Sequence, residues 1–129
     1  TNARNLKKLI TLQKLGAARL EASLAVTSNR KTVLDEERNA LIAMQDRRYD
    51  GDAFSVDPSL LIKRLGANAL ATEQIEQQLE SERRGLLKEQ RRVELLEDRL
   101  ETVRNAAESR ELASLIEEFV SRKTSVSYG

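Results

Sequence analysis

Tyr49-Asp50-Gly51-Asp52-Ala53-Phe54-Ser55-Val56-Asp57-Pro58-Ser59 is the one break in an otherwise uninterrupted helical pattern, and it holds the only proline of the chain. Asp57 before Pro58 reads as a helix start. The carboxylate can accept from the free amides of the first turn, and a proline at the first helical position gives up no donor that the helix needs. On the other side, Arg47 and Arg48 put positive charge at the C-terminal end of the preceding segment, where the helix dipole favours it. The reading is therefore helix 1 over about residues 2–49, a loop over about 50–57, helix 2 over about 58–123 and a frayed tail over about 124–129. At ~1.5 Å per residue the helices would run to roughly 70 Å and nearly 100 Å.

The apolar period on both sides of the break is the 3-4 spacing of a coiled coil. In helix 2 it picks out Leu61, Leu65, Asn68, Thr72, Ile75, Leu79, Glu82, Leu86, Glu89, Val93, Leu96, Leu100, Val103 and Ala107. In helix 1 it picks out Leu6, Ile10, Gln13, Ala17, Leu20, Leu24, Thr27, Lys31, Leu34, Arg38, Leu41, Gln45 and Arg48. Each set is one narrow seam rather than the wider face that a globular core uses. Lys31, Arg38, Glu82 and Glu89 interrupt the seams, and Gly16, Gly66 and Gly85 each cost about 1 kcal/mol against alanine in a helix interior. A short connection makes neighbouring helices antiparallel. Facing residue numbers should then add to about 110, which sets Ile10 against Leu100, Ala17 against Val93, Leu24 against Leu86 and Leu34 against Ile75. It also lays Thr27 and Lys31 beside Leu79 and Glu82. Charge agrees: Arg4, Lys7, Lys8, Lys14 and Arg19 lie in an acid-free start, opposite a stretch holding Glu94, Glu97, Asp98, Glu101 and Glu108. A parallel dimer would set those basic groups side by side. The fold class expected is all-α, with two long helices forming an antiparallel coiled-coil hairpin as a single domain.

Composition agrees. A third of the 129 residues are charged, yet net charge is +1, and the aromatics are only Tyr49, Phe54, Phe119 and Tyr128. Mean hydropathy is −0.53. Abundant, periodic leucine at near-zero net charge separates this profile from disorder. There is no cysteine and no histidine, so thiol nucleophiles, imidazole bases and the zinc sites built from either are excluded. Apolar runs fall far short of the ~20 residues that span a bilayer, and the start Thr1-Asn2-Ala3-Arg4-Asn5 lacks the apolar core of a secretion signal. A soluble, cytoplasmic protein without membrane insertion is expected.

Few residues invite chemistry. Asp46, Asp50, Asp52 and Asp57 cluster at the break, but turn chemistry and capping account for them, and the spacing and closing Glu of a calcium loop are absent. The basic run from Arg83 to Arg92 has no aromatic residues for base stacking, so no nucleic acid is expected. A two-helix hairpin offers no deep pocket in which glutamates could act as acid and base. No metal, cofactor or catalytic residue is assigned.

The end of helix 2 is different. Under the expected register it outruns helix 1 by about 14 residues from Ser109 to Arg122. Leu112, Leu115, Ile116 and Phe119 fall there at i, i+3, i+4 and i+7, an apolar face that reads as a docking site for a partner. The competing explanation is cover by native residues preceding Thr1. The basic start (Arg4, Lys7, Lys8, Lys14) would sit at the same end.

The layout is similar to the stalk proteins of flagellar and type III secretion export machines, the FliJ and YscO families. The resemblance rests on a basic, leucine-rich start from Arg4 to Lys14, a short mid-chain break, and a longer Glu/Arg/Leu second helix that includes Arg91-Arg92-Val93-Glu94-Leu95-Leu96-Glu97-Asp98-Arg99-Leu100. The C-terminal end departs from typical members in being acidic and apolar rather than strongly basic. The resemblance implies a cytoplasmic hairpin similar to the central shaft of rotary ATPases. It would insert its terminal end into a hexameric export ATPase, link that ring to the membrane export gate, and have no catalytic residues. The chain would be a monomer or weakly self-associating; the nearest alternative is a general scaffold or chaperone-like coiled coil that self-associates through the overhang or binds a partner helix. A coiled-coil finger that presents Asp50 and Asp52 to a polymerase is more remote.

Overall fold

The computed structural model describes the backbone of residues 2–49 and 57–128 and the side chains of 2–47 and 57–124. Two helices, α1 (Ala3–Tyr49) and α2 (Pro58–Tyr128), pack against each other as an all-α hairpin, with no strand among the described residues. Residues 50–56, most of the expected loop and its tip acids Asp50 and Asp52, lie outside the described residues.

Both starts are capped by side chains. Asp57 Oδ1 accepts from the amide of Ser59 at 3.0 Å, and its carbonyl accepts from Leu60 and Leu61. This is the cap the Asp-Pro pair promises. At α1 the Oδ1 of Asn2 accepts from the Asn5 amide at 2.9 Å, so Asn2 is the cap and not the first helical residue. At the other end, α2 runs on to Tyr128 through the segment expected to fray after Lys123. Residues 124–128 contain neither glycine nor proline, and the Thr124 hydroxyl donates to the Val120 carbonyl at 2.9 Å, so nothing local stops the helix before Gly129.

The chain divides into two compact units, residues 1–16 with 89–129, and residues 17–88. In the first, Leu6, Ile10 and Leu100 form a buried cluster with Ala3, Leu96 and Val103 packed on it. Leu6 is fully buried, and burying a leucine side chain contributes about 1.5–3 kcal/mol. Lys14 meets Glu97 at 3.2 Å across the helices, one of the expected charge pairs. In the second unit Leu41, Leu61 and Leu79 are buried, together with Thr27 and Asn68. Asn68 Nδ2 donates to the Leu34 carbonyl at 2.9 Å and to Glu37 Oε1 at 3.2 Å. A buried amide must find such acceptors, and this pair holds α2 in register with α1.

That register corrects the expected one. Asn68 bonds residues 34 and 37, whereas a sum of about 110 would set it near residue 42. Thr27 bonds Glu82 as expected and also reaches Gln78, and Leu20 lies 3.9 Å from where a Cβ on Gly85 would stand. In this unit the contacts of Asn68, Gln78 and Gly85 are displaced by about one helical turn from the sequence estimate, while Ile10 and Leu100 of the other unit share a buried cluster as expected. Apolar matching alone does not separate neighbouring registers of a narrow seam; the Asn68 amide does. The seam residues otherwise stand as expected, all at least half-buried except Arg38 and Ala107, which are exposed, and Arg48, whose side chain is outside the described residues.

Leu41→Ala should lower stability by about 2–4 kcal/mol in urea denaturation, while Arg38→Ala, one turn away on the same 3-4 pattern, should change it by less than about 0.5 kcal/mol. Gly66 is exposed with nothing near its Cβ position. Gly66→Ala should raise stability by about 1 kcal/mol on the same measurement.

Candidate interaction surface

Val103 is the last residue of α2 that α1 shields, and every residue from 104 to 124 is exposed. The bare segment thus begins five positions before the expected Ser109. Within it, Leu112, Leu115, Ile116 and Phe119 are each more than half exposed, and Val120 equally so. Val120 completes an i, i+3, i+4, i+7, i+8 stripe. A five-residue face instead of four is the signal that would have included it.

The stripe is not the continuation of the seam. Extending the 3-4 spacing of Leu96, Leu100 and Val103 gives Ala107, Arg110, Ser114, Glu117 and Ser121, a polar row. Leu112 lies nine residues beyond Val103, about two and a half turns, and so on the opposite side of the helix. A longer α1 in the same register would meet the polar row and leave the stripe uncovered. α2 carries two apolar faces, one toward α1 and one away from it.

The basic start is divided. Arg4, Lys7 and Lys8 are exposed, whereas Lys14 is engaged with Glu97. On the bare segment Glu118 holds Arg122 at 2.8 Å within the same helix.

The most elaborate polar cluster lies in the seam. Glu82 Oε1 accepts from Thr27 Oγ1 at 2.9 Å, Gln78 Nε2 at 3.0 Å and Ser23 Oγ at 3.2 Å. Its Oε2 is shielded from solvent without a hydrogen-bond partner. The Gln78 bond lowers the carboxyl pKa below its ordinary 4.5; partial burial opposes this, and Thr27, Ser23 and the Arg30 charge assist it. Glu82 itself stood out in the sequence as a charge at a core position. Its partners Ser23 and Gln78 did not, because each flanks the seam.

Elsewhere, Leu9, Gln13, Leu95 and Leu96 line a shallow groove with Arg92 and Arg99, and Gln13 Oε1 is likewise shielded and unbonded. Among the described residues no three of His, Cys, Asp and Glu stand together as a metal site. No described helix is long and apolar enough to cross a membrane. Asp57 is spent on the α2 cap and Asp46 is exposed.

A carboxyl with a depressed folded pKa adds stability above its ordinary value, and that stability is lost as pH falls through the folded value. Glu82→Gln should accordingly melt below the parent at pH 7. The gap should close as pH drops below 4.5, read from thermal melts of both proteins across that range.

No protein-family model, no curated protein and no solved structure matches this chain.

Proposed function

We propose that the chain is a non-enzymatic coiled-coil stalk of the flagellar and type III secretion export kind. Its terminal end docks into a hexameric export ATPase in the cytoplasm and couples that ring to the membrane export gate. The observation that supports this is the bare stripe of Leu112, Leu115, Ile116 and Phe119, exposed on a helix that has outrun its partner. An apolar face at this spacing is what helix-in-groove recognition uses. The exposed Arg4, Lys7 and Lys8 start in the same unit and give the docking end a positive rim.

Leu115→Asp with Phe119→Asp should leave helicity by circular dichroism nearly unchanged, because neither side chain is packed in the hairpin. The same double variant should lose capture by the purified export ATPase of its own organism. A collapsed helical signal would make the segment structural and sink the docking reading. Undiminished capture would move the docking site elsewhere.

A further inference from the structure

We propose that the outer stripe of α2 is a self-recognition seam, on which a second copy of this chain lies antiparallel over residues 105–123. Three observations on that segment support this occupant. The first is shape. Taking Leu112, Ile116 and Phe119 as the core row, with Ser109 before them, an antiparallel mate places Leu112 against Ile116 of the second copy, twice. Phe119 then meets the small Ser109, twice, so the bulkiest side chain of the row faces its smallest. Leu115 falls beside the two-fold axis and meets itself.

The second observation is charge. Glu108 and Arg122 flank the row on the same edge as Leu115, seven residues to either side of it. The two-fold sets Glu108 of one copy beside Arg122 of the other, twice, and edge charges of this kind choose partner and orientation in coiled coils. A parallel mate would instead face Lys123 with Lys123 in one core layer, while the antiparallel one sets it against Asn105. Third, the polar row that continues the α1 seam stays outside this contact, so the mate requires no change in the hairpin.

The pairing goes beyond the export reading and needs no ATPase. Where both hold, the dimer is the form that keeps the stripe from water until the ATPase competes for it.

The chain has no cysteine, so single cysteines report geometry directly. Under mild oxidation at micromolar concentration, Leu115→Cys should form a disulfide dimer at least about tenfold faster than Leu95→Cys, an exposed α2 control outside the contact. Leu112→Cys alone should not cross-link, whereas an equal mixture of Leu112→Cys and Ile116→Cys should. Sedimentation of the unmodified chain should give a concentration-dependent dimer. Glu108→Arg should weaken that dimer about tenfold, and Glu108→Arg with Arg122→Glu should restore it. A monomer at every concentration overturns the proposal. So does rapid homodimerisation of Leu112→Cys, which marks a parallel pair, or a Leu115→Cys rate no greater than that of the control. Failure of the unmodified chain to bind the ATPase, with its dimer demonstrated, would count against the export reading alone.

Discussion

Two helices can bury only one narrow seam between them, and most features of this molecule follow from that limit. Each helix offers the other one or two residues per turn, so the remaining surface stays wet whatever its composition. Leucines such as Leu12, Leu70 and Leu95 are exposed for this reason, without any of them forming a continuous face. Because the seam is so thin, a single polar residue on it occupies a whole layer. Asn68 finds its acceptors where it stands, and Glu82 is satisfied there at Oε1 alone. Their hydrogen bonds select one register among several that apolar packing alone would allow, which is the best-attested use of buried polar groups in coiled coils.

The sequence revealed the architecture because period and punctuation are local. The 3-4 spacing named the seam residues, and Asp57-Pro58 named the start of α2, since a cap is a contact between near neighbours. Three things were hidden. Register depends on contacts between residues far apart in the chain, and charge and leucine matching tolerate a slip of one turn. The extent of α2 past Lys123 was hidden because Thr124, Ser125, Val126 and Ser127 look poor in helix formers, although nothing there breaks a helix already under way. Arg38 fits the pattern but turns to solvent: a long charged side chain at a thin seam has a short route to water.

The stripe was legible as residues and illegible as a direction. Spacing shows that Leu112, Leu115, Ile116 and Phe119 share a face, but which way the face points depends on where α1 lies. Once the seam through Leu96, Leu100 and Val103 is known, the stripe is found on the far side.

The length of α2 beyond Val103 also bears on the energetics of anything that binds there. An isolated helix of about twenty residues is marginal in water, chiefly because its first turn is costly to nucleate. Here the hairpin has already supplied the nucleus, so residues 104 onward add turns one at a time to an existing helix. Their amides are held by the helix's own backbone hydrogen bonds, beside which stand the side-chain bonds of Arg110 and Thr124 to backbone carbonyls and the Glu118–Arg122 pair. They should exchange with solvent orders of magnitude faster than amides around Leu6 or Leu100, in a gradient that quickens toward Tyr128. A ligand on the stripe would thus do more than cover leucines. It would extend the cooperative unit outward from Val103, and part of its binding energy would go into ordering the last turns of the helix.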